Sequence, residues 1–433
     1  MTDRAIIPVN NMVDHLFRHE AGKMVSVLSR LLGLVNLQTA QDIVQDTLLQ
    51  AMNTWALSGL PDNPPAWLHK VAKNKAIDFL RREKRFKDIT PKYASLLQSD
   101  FALASVGQKL FLENEIEDSQ LAMMFTCCHE AIPEESQIAL VLKALCGLSV
   151  NEIARAFLTK AETISKRIYR AKEKIRLEKI ELELPDTSNL SSRLDAVLKC
   201  LYLLFSEGYN SSHPDQLIRE DLCDEAIRLA SIITSNRIYR RPRVYALLSL
   251  MHFQASRFDA RLDSNQQIIL LNAQDRSRWD RQLIKKGFDL LELAAEPFET
   301  STYHFEAGIA SIHAAAPSFE ETDWKSIYHL YDLLFRYQPS PVVALNKAIA
   351  SGYAIGREQA LNELELINGL EKHHLYHATR GQFLFDLKQK DAARSCFEQA
   401  RKFTDSAKEQ QLLAVKIAQC SEENTEFRIQ ETE

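Results

Sequence analysis

Asp62-Asn63-Pro64-Pro65-Ala66-Trp67-Leu68, running on into Val71-Ala72-Lys73-Asn74-Lys75-Ala76-Ile77-Asp78-Phe79-Leu80-Arg81-Arg82-Glu83-Lys84-Arg85, is the stretch on which the fold turns. A loop rich in turn formers gives way to an aromatic anchor, a helical run and a dense basic end. On that run Trp67, Leu68, Val71, Ala72, Phe79 and Leu80 fall on one side, while Lys70, Lys73, Asn74, Arg81 and Arg82 project around it. A second basic helix follows about 90 residues later, at the end of a helix-turn-helix pattern. Two such elements on a variable tether suit contact with two separated stretches of DNA.

The second helix has the clearer grammar. Glu134 to Ala144 predicts one helix, Cys146-Gly147-Leu148-Ser149 a turn and cap, Val150 to Phe157 a short helix, and Ala161 to Glu178 a third. On the third, Ile164, Ile168, Ala171 and Ile175 share one face and Thr163, Lys166, Arg167, Arg170 and Lys174 another. One side packs and the other can enter a major groove, with Thr163 and Ser165 near the amino end able to touch bases or backbone. The competing reading is an amphipathic helix with a solvated basic face, which the preceding turn-helix-turn disfavours.

In the first module, Lys73 and Asn74 are candidates for bases in an opened strand, and the Arg81-Arg82 cluster for backbone phosphates. Ser58 to Asn63 forms a loop placed where a flipped base could be received, although Trp67 itself reads first as a core anchor. In Gln41-Asp42-Ile43-Val44-Gln45-Asp46-Thr47, the residues Ile43, Val44, Thr47, Leu48 and Ala51 make a buried face. Asp42, Gln45 and Asp46 lie outside, suited to a basic protein partner, although the segment taken alone reads first as a solvated helix face.

Bulk properties agree with a modular helical chain. The 433 residues carry 45% hydrophobic and 26% charged side chains, but only 12 Gly and 13 Pro, few for the turns of a sheet protein. An all-α fold is expected. The formal charge of -5 hides an asymmetry: Pro61 to Lys92 holds nine basic against four acidic residues, and Lys160 to Ile180 eight against three. Basic segments in an acidic background mark local polyanion contact. The seven cysteines form no C-x-x-C pair, which fits a reduced, cytoplasmic protein. Cys127-Cys128-His129 lacks a second ligand pair, so these thiols read as buried apolar groups, with no metal and no cofactor expected. The apolar run Met24 to Leu37 is broken by Ser26, Ser29, Arg30 and Asn36, and no membrane segment is expected.

The boundaries read from composition are a first module over 10–88, a tether over 89–120, the helix-turn-helix module over 121–184, and a helical extension over 190–433. Turns in the extension are expected at Gly208, Pro242, Pro297, Pro317, Pro339 to Pro341, Gly356 and Gly369. Gly381, Ala393, Phe397 and Ala400, and upstream Ala348, Ala360, Leu364 and Ile367, take the offsets of tetratricopeptide-type packing positions. The alternative is an irregular helical bundle. Asp275 to Arg281 reads either as a binding cluster or as a helix start stapled by ion pairs. Removing 190–433 is expected to leave the first two modules folded.

These constellations, in this order, resemble the extracytoplasmic-function class of sigma factors of bacterial RNA polymerase. Asp42, Val44, Gln45 and Asp46 match the segment that grips the polymerase core. Asn74, Ala76, Asp78, Leu80, Arg81 and Arg82 match the helix that reads the minus-ten element. Gly147-Leu148-Ser149, Glu152-Ile153-Ala154 and Thr163 to Arg170 match the helix-turn-helix for the minus-thirty-five element. The resemblance implies a sigma region 2 bundle, a linker, a region 4 helix-turn-helix and a tetratricopeptide-like extension. It further implies binding to core RNA polymerase and promoter DNA, no catalytic residue, and regulation in cis by the extension, through a regulatory protein or ligand. The implied sites are Asp42, Gln45 and Asp46 for the polymerase; Asn63, Trp67, Lys73, Asn74, Asp78, Arg81 and Arg82 for the minus-ten element; and Thr163, Ser165, Lys166, Arg167, Arg170 and Lys174 for the minus-thirty-five element. Leu158 departs from the Gly common at that turn. The rival function is a helix-turn-helix regulator with a ligand- or protein-sensing domain. An enzyme built on His373, His374 and His377 lacks a nucleophile-base set.

Overall fold

The computed structural model describes residues 9–83, 109, 111–157, 159–185, 189–210, 218–265, 267–296, 299–404 and 406–421. Leu158, Pro297, most of the tether and the basic end from Lys84 lie outside the described residues. The described chain is all-α, with one isolated β-bridge between Leu262 and Ile268. It divides into two compact units, 1–240 and 241–433.

The first unit opens with α1 (Val9–Leu32), α2 (Leu37–Ser58) and α3 (Pro64–Glu83), which pack against one another. Helix α3 starts where the sequence supplies two N-terminal prolines and a cap: the Ala66 amide donates to Asn63 Oδ1 at 3.0 Å. Then come α4 (Glu113–Cys127), α5 (Glu134–Ala144), α6 (Val150–Ala156) and α7 (Ala161–Leu177). Residues 113–120, read from sequence as the end of a tether, are therefore the first turns of α4. Ser119 to Cys127 are buried without exception, so this half of α4 is covered on every side and forms the centre of the unit. Its covers are α1 on one side and α8 (Leu190–Tyr209) with α9 (Glu220–Ser235) on others.

That last contact changes the expected boundary at residue 190. Helices α8 and α9 pack with the helix-turn-helix unit: Leu190, Leu194, Val197, Leu198, Leu201 and Leu204 of α8 are buried, and Arg228 of α9 donates to Gln120 of α4 at 3.0 Å. Gly208, expected at a turn, lies inside α8 instead. A Cβ there would meet Cys223 Sγ at 2.7 Å and the Arg219 carbonyl oxygen at 2.8 Å, so the glycine serves close approach of α9 rather than a change of direction.

In the second unit α10 (Pro242–Ala255) packs on α12 (Arg281–Ala294) and α13 (Thr302–Ala315), with the short α11 (Phe258–Arg261) between. The Asp275 to Arg281 cluster is a set of staples. Asp275 accepts from the Ser277 amide, Asp280 caps α12 through the amides of Gln282 and Leu283, and buried Arg276 donates to the His313 and Ala316 carbonyls at the end of α13. Five more helices follow: α14 (Trp324–Tyr337), α15 (Pro341–Ala354), α16 (Arg357–Glu365), α17 (His374–Asp386) and α18 (Lys390–Lys402), before α19 (Ala407–Gln419). Short connections pair α14 with α15 and α17 with α18. Ala348, Ala360 and Leu364 form one buried cluster with Ile367 packed against it, and Ala393, Phe397 and Ala400 a second, the two sets singled out by their offsets.

Candidate nucleic-acid interface

The helix-turn-helix is assembled by local chemistry the sequence spells out. Ser149 and Glu152 form a reciprocal cap on α6: the Ser149 amide donates to Glu152 Oε2 at 2.7 Å and the Glu152 amide to Ser149 Oγ at 3.1 Å. Ile164, Ile168, Ala171 and Ile175 of α7 are buried, so the opposite face is turned outward. Arg170 is exposed and has no ion pair among the described residues; Ser165 and Lys166 are exposed and Thr163 is half-buried. Lys166 and Lys174 pair along the helix with Glu162 and Glu178, at 2.7 and 2.8 Å. Arg167 is held back, its Nη2 2.5 Å from Glu135 of α5.

On α3 the outward residues are Lys70, Asn74, Asp78, Arg81 and Arg82, with Lys73 half-buried. Arg81 pairs with Asp78 at 3.4 Å. Asn63 is exposed but its side-chain oxygen is already engaged as the cap of α3. Trp67 is half-buried, edge-on to Trp55 at 5.4 Å, and Trp55 meets Phe17 at 5.5 Å. This aromatic stack anchors α3 to α1 and α2.

The third surface is on α2. Ile43, Val44, Thr47 and Ala51 are buried, while Asp42, Gln45 and Asp46 are exposed. Asp42 accepts from Gln38 at 2.8 Å and Asp46 lies 3.9 Å from Lys75 of α3. Leu49 and Met52 are 57% and 56% exposed, an apolar continuation of the same outward face that the sequence reading passed over. Their spacing from Asp42 and Gln45 carried the signal. Tyr169, 65% exposed beside Lys166 and Arg170, was missed likewise.

Lys172 of α7 was also missed. Its ammonium donates to Gln38 and Gln41 of α2 at 2.7 and 2.5 Å, so the basic helix is tied to the first bundle. Burial, with the Lys143 charge, presses the Lys172 pKa down.

Two carboxylates are sunk at the meeting of these modules. Burial alone would raise the Glu20 pKa, yet hydrogen bonds from His19, His69 and Lys23 hold it well below the usual carboxylate range. For Glu152 burial is likewise outweighed, by the Ser149 amide and the Arg18 charge, which lower it to about 2.

Cys127 and Cys128 are buried, and burial pushes the Cys127 thiol pKa up. Among the described residues no group of three or more His, Cys, Asp or Glu side chains is placed to hold a metal, and no helix is long and apolar enough to cross a membrane. In the second unit His374 lies 3.3 Å from Glu409, and the His377 ring 2.8 Å from the Glu371 carbonyl.

Residues 16–86 match the family Sigma-70 region 2, and residues 122–175 match Sigma-70, region 4. Residues 193–295 match a family of unknown function, DUF6596. An uncharacterized protein of Rhizobium meliloti is 36% identical over 376 residues, covering 86% of this chain and 88% of the relative. The ECF RNA polymerase sigma factor SigE of Mycolicibacterium smegmatis is 26% identical over 38% of the chain and 60% of its own length. RNA polymerase sigma factor SigV of Bacillus subtilis is 27% identical over 35% of the chain and 81% of its own length. No solved structure matches the chain.

Proposed function

Because this chain belongs to the extracytoplasmic-function sigma-70 factors and directs transcription initiation, we propose how its residues divide that work and how the extension controls it. Asp42, Gln45 and Asp46 dock core polymerase, with Leu49 and Met52 extending that surface. Lys73, Asn74, Asp78, Arg81 and Arg82 of α3 take the minus-ten element as it melts. Asn63 and Trp67 shape the loop and the anchor beside it, so their contribution to DNA is through position. Thr163, Ser165, Lys166, Arg167, Arg170 and Lys174 of α7 take the minus-thirty-five element. The observation that carries this reading is the outward, basic face of α7 opposite its buried isoleucines, in a chain whose first bundle presents a second such helix and an acidic docking face.

Sigma factors are initiation factors without catalysis of their own, and bond formation here is left to the polymerase. Work on promoter DNA with core polymerase puts the chain in the cytoplasm. The helix pairs of the second unit support reading it as tetratricopeptide-like, a surface on which a small molecule or protein adjusts output in cis. Run-off transcription with purified core polymerase tests the assignment. Core-dependent, promoter-specific transcripts are expected, and their absence under every activating condition would defeat it.

A further inference from the structure

Glu152 has three claimants. Besides the Ser149 amide of its own cap, its Oε1 accepts from Arg18 Nη1 of α1 at 3.0 Å and from Arg219 Nη1, just ahead of α9, at 3.2 Å. Both arginines also reach Asp221, at 3.5 and 3.3 Å. Arg219 is only 7% exposed. One carboxylate at the mouth of the helix-turn-helix is therefore shared with the first bundle and with the extension.

The backbone underneath is fitted just as closely. A Cβ on Gly22 of α1 would stand 1.8 Å from the carbonyl oxygen of Leu145, in the turn after α5. Across the same seam Gly147, at φ +64°, sits where a Cβ would be 3.2 Å from the Arg18 side chain. Lys172 adds its bonds to Gln38 and Gln41.

Such docking is incompatible with reading both promoter elements at once. Elements named for positions about 25 base pairs apart lie on the order of 80 Å apart along B-form DNA. A bundle of this size has a radius of gyration of about 11 Å, and α7 is in direct contact with it. The two modules must part before each can reach its element.

We propose that Glu152 is a latch: held by Arg18 and Arg219 over the Gly22 seat, it keeps the helix-turn-helix folded against the first bundle, and engagement of polymerase and promoter requires its release. This rests on the sigma-factor reading and adds the extension's own handle, Arg219, to it. Acidity of the clasp explains how charge can trip it: a polyanion or acidic partner competing for one arginine weakens the hold on Glu152, and competing for both leaves it with its cap alone.

Paired spin labels at Leu57 and Tyr169, both well exposed, report the separation in the full chain, with label bound at half-buried Cys396 subtracted from a parent lacking the pair. A single short distance is expected for the parent. Glu152→Gln keeps a capping acceptor but loses the charge, and Arg219→Ala removes the extension's hold; each should give a longer, broader distribution. Gly22→Ala tests the seat without touching a charge and should do the same, and it decides the matter if Arg219→Ala loses helicity. Glu152→Gln and Arg219→Ala should raise run-off transcript yield about threefold or more at limiting core, the shift expected on losing part of one charge-assisted bond, and Gly22→Ala should raise it as well by unseating the backbone. Unchanged distances in Glu152→Gln and Gly22→Ala, a parent already open, or opening without a gain in transcripts would each overturn the latch. Absence of core-dependent transcripts from every form including the parent would instead defeat the sigma-factor reading, and the distances would still report on the latch.

Discussion

Arg167 and Arg170 are three residues apart on one helix yet begin from different states. Arg170 stands free of ion pairs among the described residues, so Arg170→Ala should cost about 1–3 kcal/mol at one base pair if it meets a base edge, or lower the salt slope by about one if it meets a phosphate. Arg167 must first leave Glu135, whose side chain is 72% exposed. An exposed pair of this kind is worth about 0–1 kcal/mol. Glu135→Gln should therefore tighten holoenzyme binding to promoter DNA by no more than about fivefold, measured by anisotropy at fixed salt; weaker binding would show that the pair positions Arg167 instead. Glu152 sets a pH dependence. Its folded pKa, about 2, is below the ordinary 4.5, so its contribution is complete above 4.5 and is lost as pH falls toward 2. Acid titration followed by circular dichroism should show that loss, and Glu152→Gln should flatten it in that window. The basic residues of α7 and the polar trio of α2, two carboxylates and an amide, were legible because polarity and 3.6-residue periodicity are local. The partners of Arg167 and Lys172 and the two arginines on Glu152 were not, since each lies far away in sequence.

Helices were the most readable elements. The limits expected for α5 match, and α6 and α7 end one residue short of expectation, because Ser149, Gly147 and the isoleucine spacing each carry their own signal. Gly208 misled because a glycine reads as a turn unless the neighbour it admits is known. The same small-against-large logic was read correctly between α17 and α18, where a Cβ on Gly381 would stand 2.8 Å from the Phe397 ring. Phe397 is 1% exposed, so Phe397→Ala should cost about 3–5 kcal/mol, and Gly381→Ala about 1–3 kcal/mol as the ring is pushed aside. Urea unfolding of the full chain, with separate transitions for the two units resolved, checks this. The loss should fall on the transition of unit 241–433 alone, whereas loss shared equally by both would mean the units unfold together.

At the scale of the whole molecule the extension is not one appendage. Its first two helices complete the unit that holds the DNA-reading surfaces, and only 241–433 forms a unit of its own. Sequence could not show this, because α8 and α9 are as amphipathic as any later helix and nothing local says which neighbour covers them. The burial of α4 says it: Leu121, Met123, Met124 and Phe125 are each no more than 1% exposed, and α8 and α9 form part of that cover. Cutting the chain after residue 189 would also strand Arg228's partner Gln120 and part Phe125 from Tyr239, whose rings lie 4.8 Å apart. Each large apolar side chain returned to water forfeits about 1.5–3 kcal/mol, against a total stability of about 5–15 kcal/mol for a domain. The fragment 1–189 should therefore aggregate or bind a hydrophobic dye with a broadened melt, while 1–240 should melt cooperatively and stay soluble. If 1–189 proved as soluble and cooperative as 1–240, α8 and α9 would be a detachable cover, and control by the extension would have to act by their undocking rather than from the second unit.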